Sequence, residues 1–148
     1  MSLYNLEAFR SQDHRDEMVR LDKAGICIFC PEHIHQDEEK VEEETANWMV
    51  KKNRYPREGS KISLLFIPKK HIKTISELDK QAMNQLLALV SKYEKKYKLD
   101  SYAIVIRSGD MRYNGGSMEH LHVHLVVGDT DDPNHEPVRY KLSSRPTN

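Results

Sequence analysis

The chain has 148 residues, which fits one domain with a core of its own and is too short for two full domains. Its 23 Lys and Arg residues balance 23 Asp and Glu residues, so no global positive charge would hold it on a nucleic acid polymer or an anionic membrane. No segment approaches the roughly 20 consecutive apolar residues of a membrane span, and the N-terminus lacks the pattern of a secretory signal. We therefore expect a cytoplasmic protein with one functional site.

The N-terminal segment predicts a helix. From Leu6 to about Lys23 the sequence is highly charged, with sparse apolar residues such as Met18 and Leu21, and Gly25 follows it. This pattern is typical of a weakly amphipathic helix that ends at a glycine. We expect this helix to pack on the rest of the chain or to form a dimer contact.

Cys27 and Cys30 form a C-x-x-C pair, which in a reducing compartment indicates metal or redox chemistry rather than a disulfide. Two thiolates at this spacing suit a tetrahedral zinc, and a structural site needs two further ligands. By spacing alone, His33 or His35 could be such a ligand. A thioredoxin-like redox pair and two buried free cysteines are the alternatives.

The middle of the chain alternates polar and apolar segments. The run 36–44 has six acids and one Lys, and we expect a solvated loop there. Two short β-rich runs follow at 48–50 and 62–67, and the turn sequence between them predicts a hairpin or an extended variant of one. A long helix is predicted at about 77–98, because apolar residues recur there at three- and four-residue spacing.

The last third of the chain predicts two more strands, at 102–107 and 120–127, separated by a glycine-containing loop at 109–116. Beyond Gly128 the sequence is typical of a tail, with one possible short strand at 138–142. We therefore expect the ordered core to end with the strand at 120–127.

Three histidines alternate with aliphatic residues in this last predicted strand. Because a strand sends alternate side chains to opposite faces, His120, His122 and His124 would line one face roughly 6 to 7 Å apart and could converge on one small anion. The two glycines ending at Gly116 would let backbone amides approach a phosphate, and Ser117 would offer a hydroxyl at the same place. An accidental polar face is the alternative, but the pattern favours phosphate chemistry.

The run from His120 to Val126 matches the H-φ-H-φ-H-φ-φ signature of histidine-triad (HIT) proteins, and the chain resembles this family over about residues 26–128. The resemblance predicts an α+β, HIT-like fold with an antiparallel sheet of about five strands, one long packed helix and a further N-terminal helix. It divides the chain into an N-terminal helical extension at 1–25, a HIT-like catalytic domain at 26–128 and a C-terminal tail at 129–148.

The resemblance implies nucleotidyl transfer, with His122 attacking the α-phosphorus of a nucleotide to form a covalent nucleotidyl-imidazole. A neutral imidazole can do this near pH 7, and a covalent intermediate divides one difficult displacement into two. His124 would hydrogen-bond the phosphate oxygens, Ser117 would assist the phosphate or the leaving group, and His120 completes the catalytic set. The resemblance thus predicts a hydrolase of a nucleotide conjugate, either a dinucleoside polyphosphate or a nucleoside phosphoramidate.

Other functions fit the same residues. A nucleotidyl transferase or phosphorylase would differ only in the acceptor, and a non-catalytic nucleotide-binding module would bind without forming the intermediate. A DNA-adenylate-removing enzyme is disfavoured by the balanced charge. Because family members are often symmetric dimers, the resemblance also implies a homodimer with a nucleotide substrate, and we expect no membrane partner and no nucleic acid polymer.

The resemblance to zinc-bearing members of the family implies a metal site. In those members the remaining ligands are the histidine after the Pro-x-x turn and the first histidine of the triad. Here the implied ligands are therefore Cys27, Cys30, His71 and His120. Such a closed shell would hold a structural zinc and clamp the cysteine segment to the histidine strand.

The family resemblance also suggests nucleotide-binding residues. Trp48 and Asn53 fall where family members bind the base and the ribose, and the alternatives are a core role for Trp48 and a turn-forming role for Asn53. Two positions depart from the family pattern, because Gly116 replaces a common glutamine and Ser63 replaces a histidine, and both changes remove phosphate contacts.

Three polar residues close before the triad could replace the lost phosphate contacts. Arginine binds phosphate well because its guanidinium can make two parallel hydrogen bonds. We expect Arg107, Arg112 and Asn114 to fill this role.

Overall fold

Five strands form one antiparallel sheet in the computed structural model, which describes residues 2–148. Along the sheet the strands lie in the order β1-β2-β3-β5-β4. Their bounds are β1 (Val41–Glu44), β2 (Trp48–Lys52), β3 (Ser60–Pro68), β4 (Ala103–Ile106) and β5 (Val123–Gly128). The predicted α+β architecture and the hairpin formed by β2 and β3 are confirmed.

Three α-helices accompany the sheet: α1 (Gln12–Ala24), α2 (Lys80–Lys96) and α3 (Met111–Asn114). Helix α1 ends at Gly25 with φ 67°, as the sequence predicts. Helix α2 begins three residues later than predicted, because the Asp79 side chain accepts a hydrogen bond from the Ala82 amide and fixes the N-terminus there. Within residues 2–148, no helix has the length and apolar character needed to cross a membrane.

The two faces of the sheet carry two separate cores, since successive strand residues point to opposite faces. In β3, Leu64 and Phe66 pack with side chains of α2, whereas Leu65 and Ile67 pack with the N-terminal segment. The core on the α2 side consists of Trp48, Val50, Leu64, Phe66, Leu86, Leu89, Tyr93, Val123 and Leu125. The opposite core consists of Tyr4, Met18, Leu21, Cys27, Ile28, Phe29, Cys30, Ile34, Met49, Leu65 and Ile67.

The acidic segment is not simply a solvated loop, so that prediction was wrong in part. Residues 41–44 form the edge strand β1, and Asp37 is buried and paired with the fully buried Lys51 of β2. An isolated buried ammonium is energetically costly, and the Asp37 carboxylate offsets that cost by pairing with Lys51.

The C-terminal segment packs against the domain, but the short strand proposed at 138–142 does not form. Its backbone approaches two glycines so closely that an added Cβ would lie 2.2 Å from the Glu136 carbonyl oxygen at Gly59 and 2.3 Å from that of Lys141 at Gly115. The division at residues 25 and 128 stays a prediction.

Candidate active site

The histidine segment is only partly a strand. Strand β5 begins at Val123, so His120 and His122 precede it, and the predicted start was three residues early. The residues before Val123 are not paired with β3, because the Leu121 amide donates to the carbonyl of Ile72 in the segment that follows β3. The extended geometry nevertheless keeps His122 and His124 in the lining of one pocket.

His122 is held in one tautomer. Its Nδ1 lies 2.8 Å from the His120 carbonyl oxygen, and since a carbonyl can only accept, Nδ1 carries the hydrogen and Nε2 keeps its lone pair. The side chain is 7 % exposed, and burial, together with the charge of Arg107, lowers its pKa to about 3. His122 is therefore neutral near pH 7, with an unshared electron pair on Nε2.

His124 lies beside His122, with the two ring centroids 4.8 Å apart. It is 2 % exposed, yet neither ring nitrogen has a hydrogen-bond partner among the described residues. Burial, then His122 and nearby arginines, hold its pKa well below the usual range. Ser117 is also buried and lines the same pocket. A buried donor with no partner fits a phosphate oxygen, which would satisfy it.

The pocket is small in this conformation. Side chains from α1 and the cysteine segment, including Met18 and Phe29, help to line it, and its volume is about 50 Å³. Pockets for drug-sized ligands measure roughly 300 to 1,000 Å³, so this pocket is too small to enclose a whole nucleotide.

A second cluster consists of Cys27, Cys30, His71 and His120, whose potential ligand atoms all lie within 4.8 Å of one another. His120 Nδ1 is 3.4 Å from the Cys27 Sγ, and His71 Nδ1 is 3.2 Å from the Cys30 Sγ. These spacings fit the edges of a tetrahedron with metal–ligand distances near 2.0 to 2.3 Å.

The surroundings of this cluster also fit a metal. His120 Nε2 lies 2.8 Å from the Pro68 carbonyl oxygen and therefore donates to it, which leaves Nδ1 free as a ligand on the cysteine side. His71 Nε2 lies 3.7 Å from a Glu119 carboxylate oxygen, which is near the ring but beyond hydrogen-bonding distance. The predicted four residues can thus hold a metal ion, and His33 and His35 lie outside the cluster.

The two predicted base and ribose contacts occupy different surroundings. Trp48 is 0 % exposed and lies in the core on the α2 side, where its indole nitrogen donates to the Ala82 carbonyl, and its contact with a base stays a prediction. Asn53 lines the pocket beside His122, with its side-chain oxygen accepting from the Tyr55 amide.

In the loop at 109–116, which precedes the three histidines, polar groups hydrogen-bond to one another. The Asn114 side chain accepts from the Gly116 amide at 2.8 Å and donates to the Gly109 carbonyl, so neither Asn114 nor Gly116 offers these groups to a phosphate. Arg112 is exposed, makes a two-pronged contact with Asp110 and is absent from the pocket lining. In this conformation the three residues are engaged with protein partners, and their predicted phosphate contacts stay predictions.

Arg107 is brought to the site, and three further residues that the sequence did not single out accompany it. Arg10 lines the pocket, and Arg57 and Arg107 lie over the Tyr140 ring, which in turn lies 5.4 Å from the His124 ring. No local pattern marks Arg10, Arg57 or Tyr140, because the fold assembles them from three distant segments.

A family model described as "HIT domain" matches residues 33–131, which include all three histidines. The chain belongs to the HIT domain family. It is 29 % identical over 89 residues to an uncharacterized HIT-like protein of Chlamydia muridarum, covering 57 % of this chain and 68 % of that protein. The cysteine pair, Arg10 and Tyr140 lie outside the matched residues.

Solved structures share this HIT fold. A histidine triad nucleotide-binding protein from Candida albicans is 23 % identical, with a TM-score of 0.61, covering 80 % of this chain and 85 % of that one. A Plasmodium falciparum diadenosine triphosphate hydrolase is 19 % identical, with a TM-score of 0.53, covering 70 % and 67 % respectively. At these identities the likeness shows the fold alone.

Proposed function

We propose that this HIT protein is a nucleotide hydrolase that acts at the α-phosphate of a nucleotide conjugate through a covalent nucleotidyl-His122 intermediate. The observation that carries the proposal is the orientation of His122, whose Nδ1–H is fixed on the His120 carbonyl while the ring lines the same pocket as His124 and Ser117. Named neighbours of the same fold that bind or hydrolyse nucleotides support this class of function.

The first step would be attack by the His122 Nε2 lone pair on the α-phosphorus. A P–N bond forms, the bond to the leaving group breaks, and the leaving group departs with the electron pair. The imidazole becomes positively charged, and its Nδ1–H bond to the His120 carbonyl stabilises that charge. His124 and Ser117 would donate hydrogen bonds to the phosphoryl oxygens as charge builds on them.

The second step would be attack by water on the same phosphorus. The P–N bond breaks, its electron pair returns to Nε2, one proton is released, and a nucleoside monophosphate leaves. An acceptor other than water would make the protein a transferase. Added inorganic phosphate, for instance, would give a nucleoside diphosphate if the protein were a phosphorylase.

We further propose that the metal held by Cys27, Cys30, His71 and His120 is a structural zinc. Two thiolates and two imidazoles form a closed set that zinc prefers and that leaves no position for substrate. His120 would connect the two sites, because its ring belongs to the metal cluster and its backbone carbonyl orients His122.

The test is release of nucleoside monophosphate from a panel of dinucleoside polyphosphates, nucleoside phosphoramidates and nucleotide sugars. We expect wild type to turn over at least one compound and His122→Ala to lose roughly 10⁴-fold or more of that rate. The matched control is His35→Ala, at an exposed histidine outside both clusters. Equal turnover in wild type and His122→Ala would contradict the proposal.

A further inference from the structure

Three guanidinium groups gather beside the histidines that the mechanism uses. The Arg57 guanidinium carbon lies 3.5 Å and that of Arg107 5.4 Å from the centroid of the Tyr140 ring, which itself lies 5.4 Å from the His124 ring. Arg10 lines the pocket that contains His122 and His124. The charges of all three arginines also contribute to the lowered pKa of His124, as expected for cations near the ring.

These arginines have no acidic partner among the residues that the structure describes. Buried N–H groups of all three also lack a hydrogen-bond acceptor, namely Nε of Arg10, Nη1 of Arg57, and Nε and Nη2 of Arg107. Burial and mutual repulsion lower the pKa of Arg10 to about 10 and that of Arg57 to about 9. Such uncompensated charge is costly, and a bound anion would relieve it.

The positive surface extends away from the histidines. Arg10 and Arg57 also line an outer groove that is bordered by Arg139 and Lys141. Two acidic residues, Glu58 and Glu136, also line part of this groove, and Glu136 lies 3.7 Å from Arg139, so the cations outnumber the acids two to one. A track of several cations suits a chain of phosphates better than a single phosphate or a neutral group.

We propose that Arg10, Arg57 and Arg107 bind the polyphosphate of the leaving group, so that the substrate is a dinucleoside polyphosphate rather than a nucleoside phosphoramidate. This inference rests on the proposed function. When the α-phosphorus–oxygen bond breaks, the departing nucleoside polyphosphate takes the electron pair and gains one negative charge. Fixed guanidiniums would stabilise that charge, whereas the amine released by a phosphoramidate carries no phosphate for them to bind.

The direct test uses inorganic tripolyphosphate as the probe and isothermal titration calorimetry as the measurement. We expect wild type to bind it and Arg57→Gln and Arg107→Gln to weaken binding about tenfold or more each, since a charge-assisted hydrogen bond is worth roughly 1.5 to 3 kcal/mol. The control Arg20→Gln removes an exposed guanidinium from α1 and should change binding less than about threefold. Circular dichroism verifies that each variant is folded.

A second measurement distinguishes a loss of leaving-group binding from a general loss of activity. In Arg57→Gln, the ratio of kcat/KM for a dinucleoside polyphosphate to kcat/KM for a nucleoside phosphoramidate should fall about tenfold or more, and an unchanged ratio would contradict the inference. Absence of tripolyphosphate binding in wild type, or equal binding in the arginine variants, would overturn the inference.

Failure of the proposed function would look different. If tripolyphosphate binding depends on the arginines but no nucleotidyl-His122 forms, the anion site stands and the hydrolase proposal falls. If nucleotidyl-His122 forms but the arginine variants bind tripolyphosphate like wild type, the hydrolase proposal stands and the arginine site falls.

Discussion

At the scale of single residues, His14 shows how burial couples ionisation to stability. Its ring stacks on Tyr55 at 4.4 Å between centroids, and its Nδ1 accepts the Arg10 backbone N–H. Burial, followed by the charges of nearby arginines, lowers its pKa to about 4. An unfolded histidine has a pKa near 6.5, so between these values the unfolded chain binds the extra proton. This contribution to stability is complete above about pH 6.5 and is lost as the pH falls towards 4.

We predict that His14→Asn, which keeps a side-chain acceptor, makes stability less dependent on pH. Between pH 7 and pH 5, wild type should lose about 1 to 2 kcal/mol more unfolding free energy than the variant. Urea denaturation at the two pH values measures the difference. Other buried histidines contribute to the pH dependence of both proteins, so the informative quantity is the difference between wild type and variant. An equal loss of unfolding free energy in the two proteins would contradict the low pKa of His14.

The cysteine cluster gives a second residue-scale prediction. Cys27→Ser removes one of the four proposed ligands, so the purified variant should lack the proposed zinc and unfold at a lower temperature than wild type. Elemental analysis and thermal denaturation measure the two effects. His33→Ala is the matched control, because His33 lies near the cysteines in sequence but outside the cluster. A full zinc content in Cys27→Ser would show that these four residues are not the site.

At the scale of elements, local patterns predicted four of the five strands, α1, α2 and the β2–β3 hairpin, but not β1, α3 or the ion pair beneath β2. Short β-rich runs identified β2 and β3, and three- and four-residue spacing identified α2. Lys51 interrupts the apolar pattern of β2, and nothing local shows that its partner is Asp37 in an acidic run. Such a pairing depends on the packing of two segments and is not visible in either one alone.

We predict that Lys51→Met destabilises the protein by about 3 to 5 kcal/mol, because it leaves the Asp37 carboxylate buried without a counter-charge. The double variant Asp37→Asn with Lys51→Met should recover part of that loss. Lys52→Met, at the exposed neighbouring position, should change stability by less than about 0.5 kcal/mol. Chemical denaturation measures all three variants, and a neutral Lys51→Met would contradict the buried pair.

At the scale of the whole molecule, the two terminal segments bring Arg10 and Tyr140 close to the histidines of the family motif. The histidines and the metal cluster were predictable because their motifs are short and specific. Arg10 and Tyr140 were not, since 129 residues separate them and each stands in an ordinary polar segment. The predicted homodimer and the cytoplasmic location stay predictions.

We predict that Gly115→Ala displaces the C-terminal segment. The added Cβ would lie 2.3 Å from the Lys141 carbonyl oxygen, and φ is 71° at this position. Hydrogen exchange should become faster over residues 136–148. Gly25→Ala is the control, because φ is similar at 67° but no atom lies within 4 Å of the added carbon. Faster exchange in both variants, or in neither, would contradict the packing described for this segment.

The most direct test of the account is to look for nucleotide covalently bound to His122. Wild-type protein would be mixed with a dinucleoside polyphosphate, quenched within the first turnover and analysed by peptide mass spectrometry. We predict one nucleoside monophosphate on the peptide that contains His122 and none in His122→Ala. Release of nucleoside monophosphate without any adduct, or an adduct that persists in His122→Ala, would contradict the central claim.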